Sequence, residues 1–256
     1  AYQRALGKNH PDTLAAQHNL AGAYQSNGRI DAAIAMFEDA HTDYERVLGD
    51  KHPATLTAQH NLAGAYEMAG LVDQAVTLFE HVVDKRQQVL SPDHPDTLSS
   101  RHRLAGAYLS TGRADEAIAL FEQVLGDRRR VLGRDHPDTL AAQLSLAVAY
   151  RSARPADAVL DLYQYVLTEH QRVLGEDHPD TLVCHNNLAS ALLASGRLDK
   201  AIARYQLVLA HARRILDPDH PTIQFIATNL GYAMSLHSPP TGQESEDADG
   251  NHANQD

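Results

Sequence analysis

Sixteen histidines are the first residues in this 256-residue chain that could do chemistry. Clustered imidazoles can hold a metal ion or move protons near neutral pH. Their spacing decides which of these is open. Six of them precede a proline, at His10, His52, His94, His136, His178 and His220, always 42 residues apart. An imidazole beside a helix-initiating proline is placed to cap the helix and fill a junction. His18, His60 and His102 form a second row on the same interval. Equivalent residues on stacked helices stand roughly 10 Å apart, whereas zinc needs its ligand atoms at about 2 Å. No metal and no cofactor is expected. An acid-responsive surface is the chemistry left to this row. Unperturbed imidazole titrates near ~6.5, so acidic ligands would bind better at lower pH. The other reading is a neutral polar lining.

Further residue types offer little to catalysis. Cys184 is the only cysteine, so no internal disulfide forms, which fits a reducing compartment. It adjoins His185, but helix neighbours do not face each other. It shares a register with Ala16, Ala58, Ser100 and Ala142, which marks a small packing position. Arg128, Arg129 and Arg130 read as a solvated face paired with nearby acids. No phosphate loop, zinc-protease motif or nucleophile elbow is present, so an enzyme is not expected. The net charge is -11, and removing five acidic residues between His237 and Asp256 leaves -6. An acidic body disfavours nucleic acid, which is held by clustered Lys and Arg. No apolar run reaches membrane-spanning length and no signal peptide opens the chain, so no membrane is expected and a cytoplasmic location is.

The 42-residue interval carries far more than the histidines. Leu20, Leu62, Leu104, Leu146, Leu188 and Leu230 share one register. Tyr24, Tyr66, Tyr108 and Tyr150 share another, as do Gly28, Gly70, Gly112 and Gly196. Ala33, Ala75, Ala117 and Ala201 follow, and Phe37, Phe79, Phe121, Tyr163 and Tyr205 complete the series. Each unit reads as two helices. Helix A opens at the His-Pro step, where proline loses nothing by lacking an N–H. The next Asp meets the helix dipole, and the adjacent Thr can bond free N–H groups. A glycine turn ends helix A. Asp31, Asp73, Asp115, Asp157 and Asp199 open helix B, and Gly49, Gly133 and Gly175 end it. One such hairpin cannot bury its apolar face alone, whereas stacked hairpins can. The spacing gives an all-α array over 1–236, with repeats at about 10–51, 52–93, 94–135, 136–177 and 178–219. Partial units 1–9 and 220–236 flank them, and an acidic disordered tail covers 237–256. The last helix A is expected to fold Phe225, Ile226, Tyr232 and Met234 back on repeat five.

Leu20, Ala21, Tyr24, Gly28, Ala33 and Phe37 resemble the tetratricopeptide repeat signature. The 42-residue period and the run from His10 to Ala40 resemble the kinesin light chain type of that repeat. The resemblance covers residues 1 to about 236. It implies a tetratricopeptide-type α-solenoid, a right-handed superhelix of antiparallel helix pairs with helix A lining a concave groove. It also implies that the groove binds a peptide or protein segment. Such repeats are similar to those of many bacterial proteins, often beside signalling ATPase domains, and the Ala, Arg and Asp usage suits a high-GC bacterium. Ala1–Gly7 aligns with Asp43–Gly49, so the chain is expected to be a piece of a longer protein.

On helix A the face away from the core runs through Ala15, His18, Gly22 and Gln25. Carried along the interval, it gives a groove of His18, Asn19, Gly22, His60, Asn61, Gly64, His102, Arg103, Leu144, Val148, Asn186, Asn187, Ser190 and Asn229. Glycines there admit a close backbone, and Leu144 and Val148 add an apolar step. The Asn side chains carry donor and acceptor both. They either pair with an extended peptide or bond neighbouring helices. The Lys of a terminal-carboxylate clamp is absent from these positions. The expected function is a scaffold for a protein or peptide partner. The alternative is a sensor module controlling an effector domain of a longer chain. Self-association through exposed repeat edges, Ala1–Leu20 above all, is a further expectation.

Overall fold

Each A helix begins where a histidine precedes a proline. In the computed structural model, which describes residues 6–237, His10, His52, His94, His136 and His178 sit in extended backbone as N-caps. In each, the ring Nδ1 accepts from the backbone N–H two residues on, at 3.1–3.2 Å. His220 does the same to Thr222. An N-cap acceptor satisfies one of the donors that a helix start leaves free. The accepting Nδ1 places the ring proton on Nε2. The A helices are α1 (Pro11–Ser26), α3 (Pro53–Met68), α5 (Pro95–Ser110), α7 (Pro137–Ala153), α9 (Pro179–Ala194) and α11 (Pro221–His237). The B helices are α2 (Ile30–Leu48), α4 (Val72–Val89), α6 (Ala114–Val131), α8 (Ala156–Leu174) and α10 (Leu198–Ile215). No strand occurs among the described residues. Residues 1–5 and the expected tail beyond His237 lie outside them.

Two kinds of turn join the helices. At the end of α1, α3, α5 and α9, glycine takes positive φ, from +72° to +79°. The following N–H reaches back five residues, as from Arg29 to the Tyr24 carbonyl at 3.0 Å, which closes the helix end. Repeat four departs from this. Arg154 stands at the glycine register, and a bulky residue is costly at positive φ. It stays extended at φ -132° before Pro155, so α7 runs one residue longer than α5. At the end of B helices, Gly49, Gly133 and Gly175 take φ +88° to +89°. Ser91 stands at the same register with φ +120°, the one non-glycine residue at positive φ among those described. The buried threonines also differ from expectation. Thr55 and Thr139 donate to the carbonyls of Gly49 and Gly133 at 2.8 Å instead of accepting from helix N–H groups. The histidine ring already holds that N–H, which leaves the hydroxyl for the turn.

The chain divides into two compact units, one reaching to Glu176 and one beginning at Asp177. In the first, three B-helix phenylalanines each close a junction with the next repeat. Phe37 packs with Ala21, Ala33, Leu62 and Ala65. Phe79 packs with Ala63, Ala75, Leu104 and Ala107, and Phe121 with Ala105, Ala117, Leu146 and Ala149. The alanines let helix axes approach so that one ring fills the remaining space. Leu62, Leu104 and Leu146 are buried, whereas Leu20 is 49% exposed. Polar contacts repeat with the same period. Tyr66 donates to Glu38 at 2.7 Å, Tyr108 to Glu80 at 2.8 Å, and Tyr150 to Glu122. In the second unit Leu182, Leu188, Tyr205, Val208 and Ile226 are buried. There Phe225, Tyr232 and Met234 correct the expected fold-back, being 58%, 60% and 48% exposed. Only Ile226 of that set lies on the buried stripe.

Two substitutions test these local rules. Ser91→Gly relieves a positive φ and should raise stability by about 1 kcal/mol. His94→Ala removes a helix cap and should lower it by about 1 kcal/mol. Both are read from urea-unfolding midpoints, and a Ser91→Gly variant no more stable than the parent would show that the turn carries no strain.

Candidate peptide-binding site

The face of the A helices that carries the expected groove residues is built from the core outward. In the first unit, each imidazole of the second histidine row leans on the aromatic ring of its own repeat. Ring centroids lie 5.2 Å apart for His18 and Phe37, 5.4 Å for His60 and Phe79, and 5.2 Å for His102 and Phe121. These rings therefore lie half inside the protein. The next register then reaches back across the junction. Asn61 Nδ2 is 2.7 Å from His18 Nε2, and Ser145 Oγ is 3.4 Å from His102 Nε2. In the second unit Asn229 Nδ2 donates to Asn186 Oδ1 at 3.1 Å. Of the two readings of the Asn side chains, the structure displays bonds between successive A helices for Asn61, Asn186 and Asn229.

A buried second row lies beneath. Arg86 is 3% exposed and donates to the Asp96 carbonyl at 2.9 Å, to Ser100 Oγ at 2.8 Å and to Thr57 Oγ1 at 3.1 Å. Ser100 Oγ in turn lies 3.1 Å from His60 Nδ1. Arg128 donates to the Asp138 carbonyl at 2.8 Å and approaches His102 Nδ1 at 3.4 Å. Arg128 thus corrects the solvated-face reading of its run: it is buried, while Arg130 pairs with Asp93 and Asp127. The two guanidiniums bear on the histidines. Burial, and then the positive charges of Arg86 and Arg103, push His60 down to about 3. Burial, then Arg128 and Arg103, push His102 down to about 4. Burial also lowers His18. For His60 and His102 these shifts favour the neutral polar lining over the acid-responsive surface.

The remaining residues expected in the groove differ in how open they are. A Cβ on Gly22 or Gly106 would meet nothing within 4 Å, so bare helix backbone faces open space. A Cβ on Gly64 would meet the Arg103 guanidinium at 3.2 Å. Arg103 lies over the Phe79 ring and pairs with Glu67 at 2.9 Å. Asn19 is exposed, and Leu144, Val148 and Asn187 are half-buried. Ser190 bonds the Asn186 carbonyl at 3.0 Å and the Tyr205 hydroxyl at 2.8 Å, so it is turned to the core. Cys184 is 1% exposed, and burial pushes its thiol up to about 12.

Sequence reasoning missed the apolar part of this face. In the second unit a cavity of about 260 Å³ opens between α9 and α11, lined by Leu182, Val183, Asn186, Asn187, Phe225 and Ile226 among others. The register of Ala15 runs through Thr57, Ser99 and Ala141 to Val183 and Phe225. That increase in size was the available signal. Among the described residues, no group of three or more His, Cys, Asp or Glu is placed to hold a metal ion, and no helix is long and apolar enough to cross a membrane.

The histidine shifts make a testable sign prediction. An unfolded chain protonates these rings below about 6.5, while the folded chain resists it. This part of the stability is complete above that pH and is lost as pH falls toward the folded values. The ring signals of His60 and His102 should stay in their neutral positions in an NMR titration from about pH 7 to 5. Movement of either by half its range in that interval would contradict the buried assignment.

Comparison with known proteins agrees with the register. The tetratricopeptide repeat profile matches residues 1–45, 12–88 and 160–214, and a second profile of the same description matches 97–138 and 139–180. A search of curated proteins finds no match. A Q17M variant of nearly identical TPR-like repeats from Podosopora anserina, named provisionally a kinesin light chain, is similar with 35% identity and a TM-score of 0.69, covering 80% of this chain and 97% of that one. BtubC (BKLC) from P. vanneervenii shares the fold at 15% identity and a TM-score of 0.62, covering 98% and 93%. A Rap protein complexed with Competence and Sporulation Factor does so at 11% identity and 0.68, covering 91% and 70%. The chain belongs to the tetratricopeptide repeat family, as an all-helical α-solenoid whose repeats are of the kinesin light chain type.

Proposed function

We propose that this chain is a protein-interaction scaffold whose A-helix face holds an extended segment of a partner protein. The fold serves binding generally, since stacked hairpins present side chains at fixed intervals along one face. The observation that carries the reading here is the cavity between α9 and α11. Val183 and Phe225 offer it apolar walls, and Asn186 and Asn187 line it with amides. An apolar partner side chain would enter between Val183 and Phe225 while its backbone bonds Asn187. Phe225, 58% exposed in the free chain, would lose that exposure on binding. In the first unit the open backbone at Gly22 and Gly106 supports the same mode, because a partner chain can approach it closely. Asn61 and Asn229 already bond to His18 and Asn186, so they orient the face and the exposed Asn19 is left to reach outward. The role is one of binding rather than catalysis, and the partner is a protein or peptide.

The test is a random peptide library selected on the full chain, followed by calorimetry of the enriched sequence. Phe225→Asp and Asn187→Ala should each weaken the Kd by about tenfold or more, near 1.4 kcal/mol. An enriched peptide that binds both variants as well as the parent would remove this face from the function.

A further inference from the structure

The last A helix differs from earlier ones on the face that meets solvent. Phe225, Tyr232 and Leu236 are 58%, 60% and 53% exposed. They stand seven and then four residues apart. At ~3.6 residues per turn they fall within an arc of about 40° on α11. At the registers of Phe225 and Tyr232 the first three repeats carry Ala15, Thr57 and Ser99, and Gly22, Gly64 and Gly106. A row of large apolar side chains left in water is costly, and such rows mark interaction surfaces. Val183, 41% exposed, extends this one across the cavity to α9.

Charge decides what kind of partner fits. Neither α9 nor α11 contains a lysine or arginine. The cavity opens among the first turns of both, through Leu182, Val183, Pro221 and Thr222. Asp180 lies in the first turn of α9, and Asp217 and Asp219 just precede α11. Asp180 shares its register with Asp12, Asp96 and Asp138 and serves the helix start. Asp217 stands where earlier repeats carry Gly49, Ser91, Gly133 and Gly175. Asp219 belongs to a ladder. Asp93, Asp135 and Asp177 each pair with the arginine 37 residues on, Arg130, Arg172 and Arg214. At that interval from Asp219 stands Asp256, and among the described residues no arginine pairs with Asp219. Arg213, also at this end, belongs to α10.

Spacing decides the form of the segment. Seven residues of α11 span about 10.5 Å. A polyproline-type segment rises about 9 Å in three residues and returns its side chains to one face at that interval. A β-strand returns them at about 7 or 14 Å, which fits the row less well.

We propose that the partner segment carries two apolar residues three positions apart, with a lysine or arginine beside the first. The first apolar side chain enters the cavity between Val183 and Phe225. The second packs on Tyr232 and Leu236. The cation meets the Asp219 carboxylate, and Asp217 and Asp180 add to the negative field there. This motif rests on the A-helix face being the binding surface.

The probe is the acetylated and amidated peptide Gly-Arg-Leu-Pro-Pro-Phe-Gly, with the same residues in reverse order as its companion. Each is titrated into the full chain and followed by backbone amide NMR. Saturable binding of one order is expected. It should weaken about fivefold when the arginine becomes glutamate, and about tenfold when one proline is removed and the anchors stand two apart. Asp219→Lys should reverse the preference for arginine over glutamate. The double change Asp217→Asn with Asp219→Asn should abolish it, and serves where Asp219→Lys does not fold. Arginine and glutamate peptides that bind equally well, yet both lose affinity in Phe225→Asp, would overturn the motif and leave the A-helix face standing. Binding indifferent to Phe225→Asp would remove both. No saturable binding of either order at millimolar concentration would overturn the motif, while the random library still reads the face.

Discussion

An aromatic ring closes the junction between one helical hairpin and the next, and much else depends on that contact in the first unit. Phe37, Phe79 and Phe121 each enter a space bounded by alanines of their own repeat and by a leucine of the following one. A lone hairpin would leave the ring in water, because its two helices are held too close by Ala21 and Ala33 to enclose it. The next repeat supplies the far wall. Stability is therefore a property of neighbours, as expected for a quasi-one-dimensional array. The same ring sets the depth of the histidine row, since His18, His60 and His102 lie against it at 5.2–5.4 Å.

The burial of those histidines changes what the surface can do. A row of exposed imidazoles would act as a pH sensor. Seated on phenylalanines above Arg86 and Arg128, His60 and His102 become neutral hydrogen-bonding groups. Among the described residues the guanidiniums pair with no carboxylate within ion-pair distance and bond instead to helix carbonyls and to a serine hydroxyl. A charge buried this way is retained only with several hydrogen bonds. The arrangement ties the A helices of the first unit to the B helices beneath them.

Departures from the repeat mark where one copy differs physically from another. Arg154 replaces a turn glycine and the helix continues one residue further. Ser91 replaces another and accepts a positive φ. Arg101 replaces the glutamine of positions 17, 59 and 143 and bonds Gln123 and Asp127. Val183 and Phe225 replace the small residues of earlier repeats, and an apolar cleft stands there.

The sequence by itself determined the helix pairs, their limits and the family. Periodicity, the His-Pro step and the glycine turns act locally, within a few residues, so they are visible without coordinates. It also identified Cys184 as a packing position, from the small residues that share its register. Burial of Arg128 was hidden, since a run of three arginines looks solvated until the next repeat covers one of them. The partners of Asn61 and Asn229 were hidden too, because each bond spans 43 residues and joins separate hairpins. Whether a side chain is a surface group or a buried one depends on what packs over it, and that is decided only when the hairpins stack.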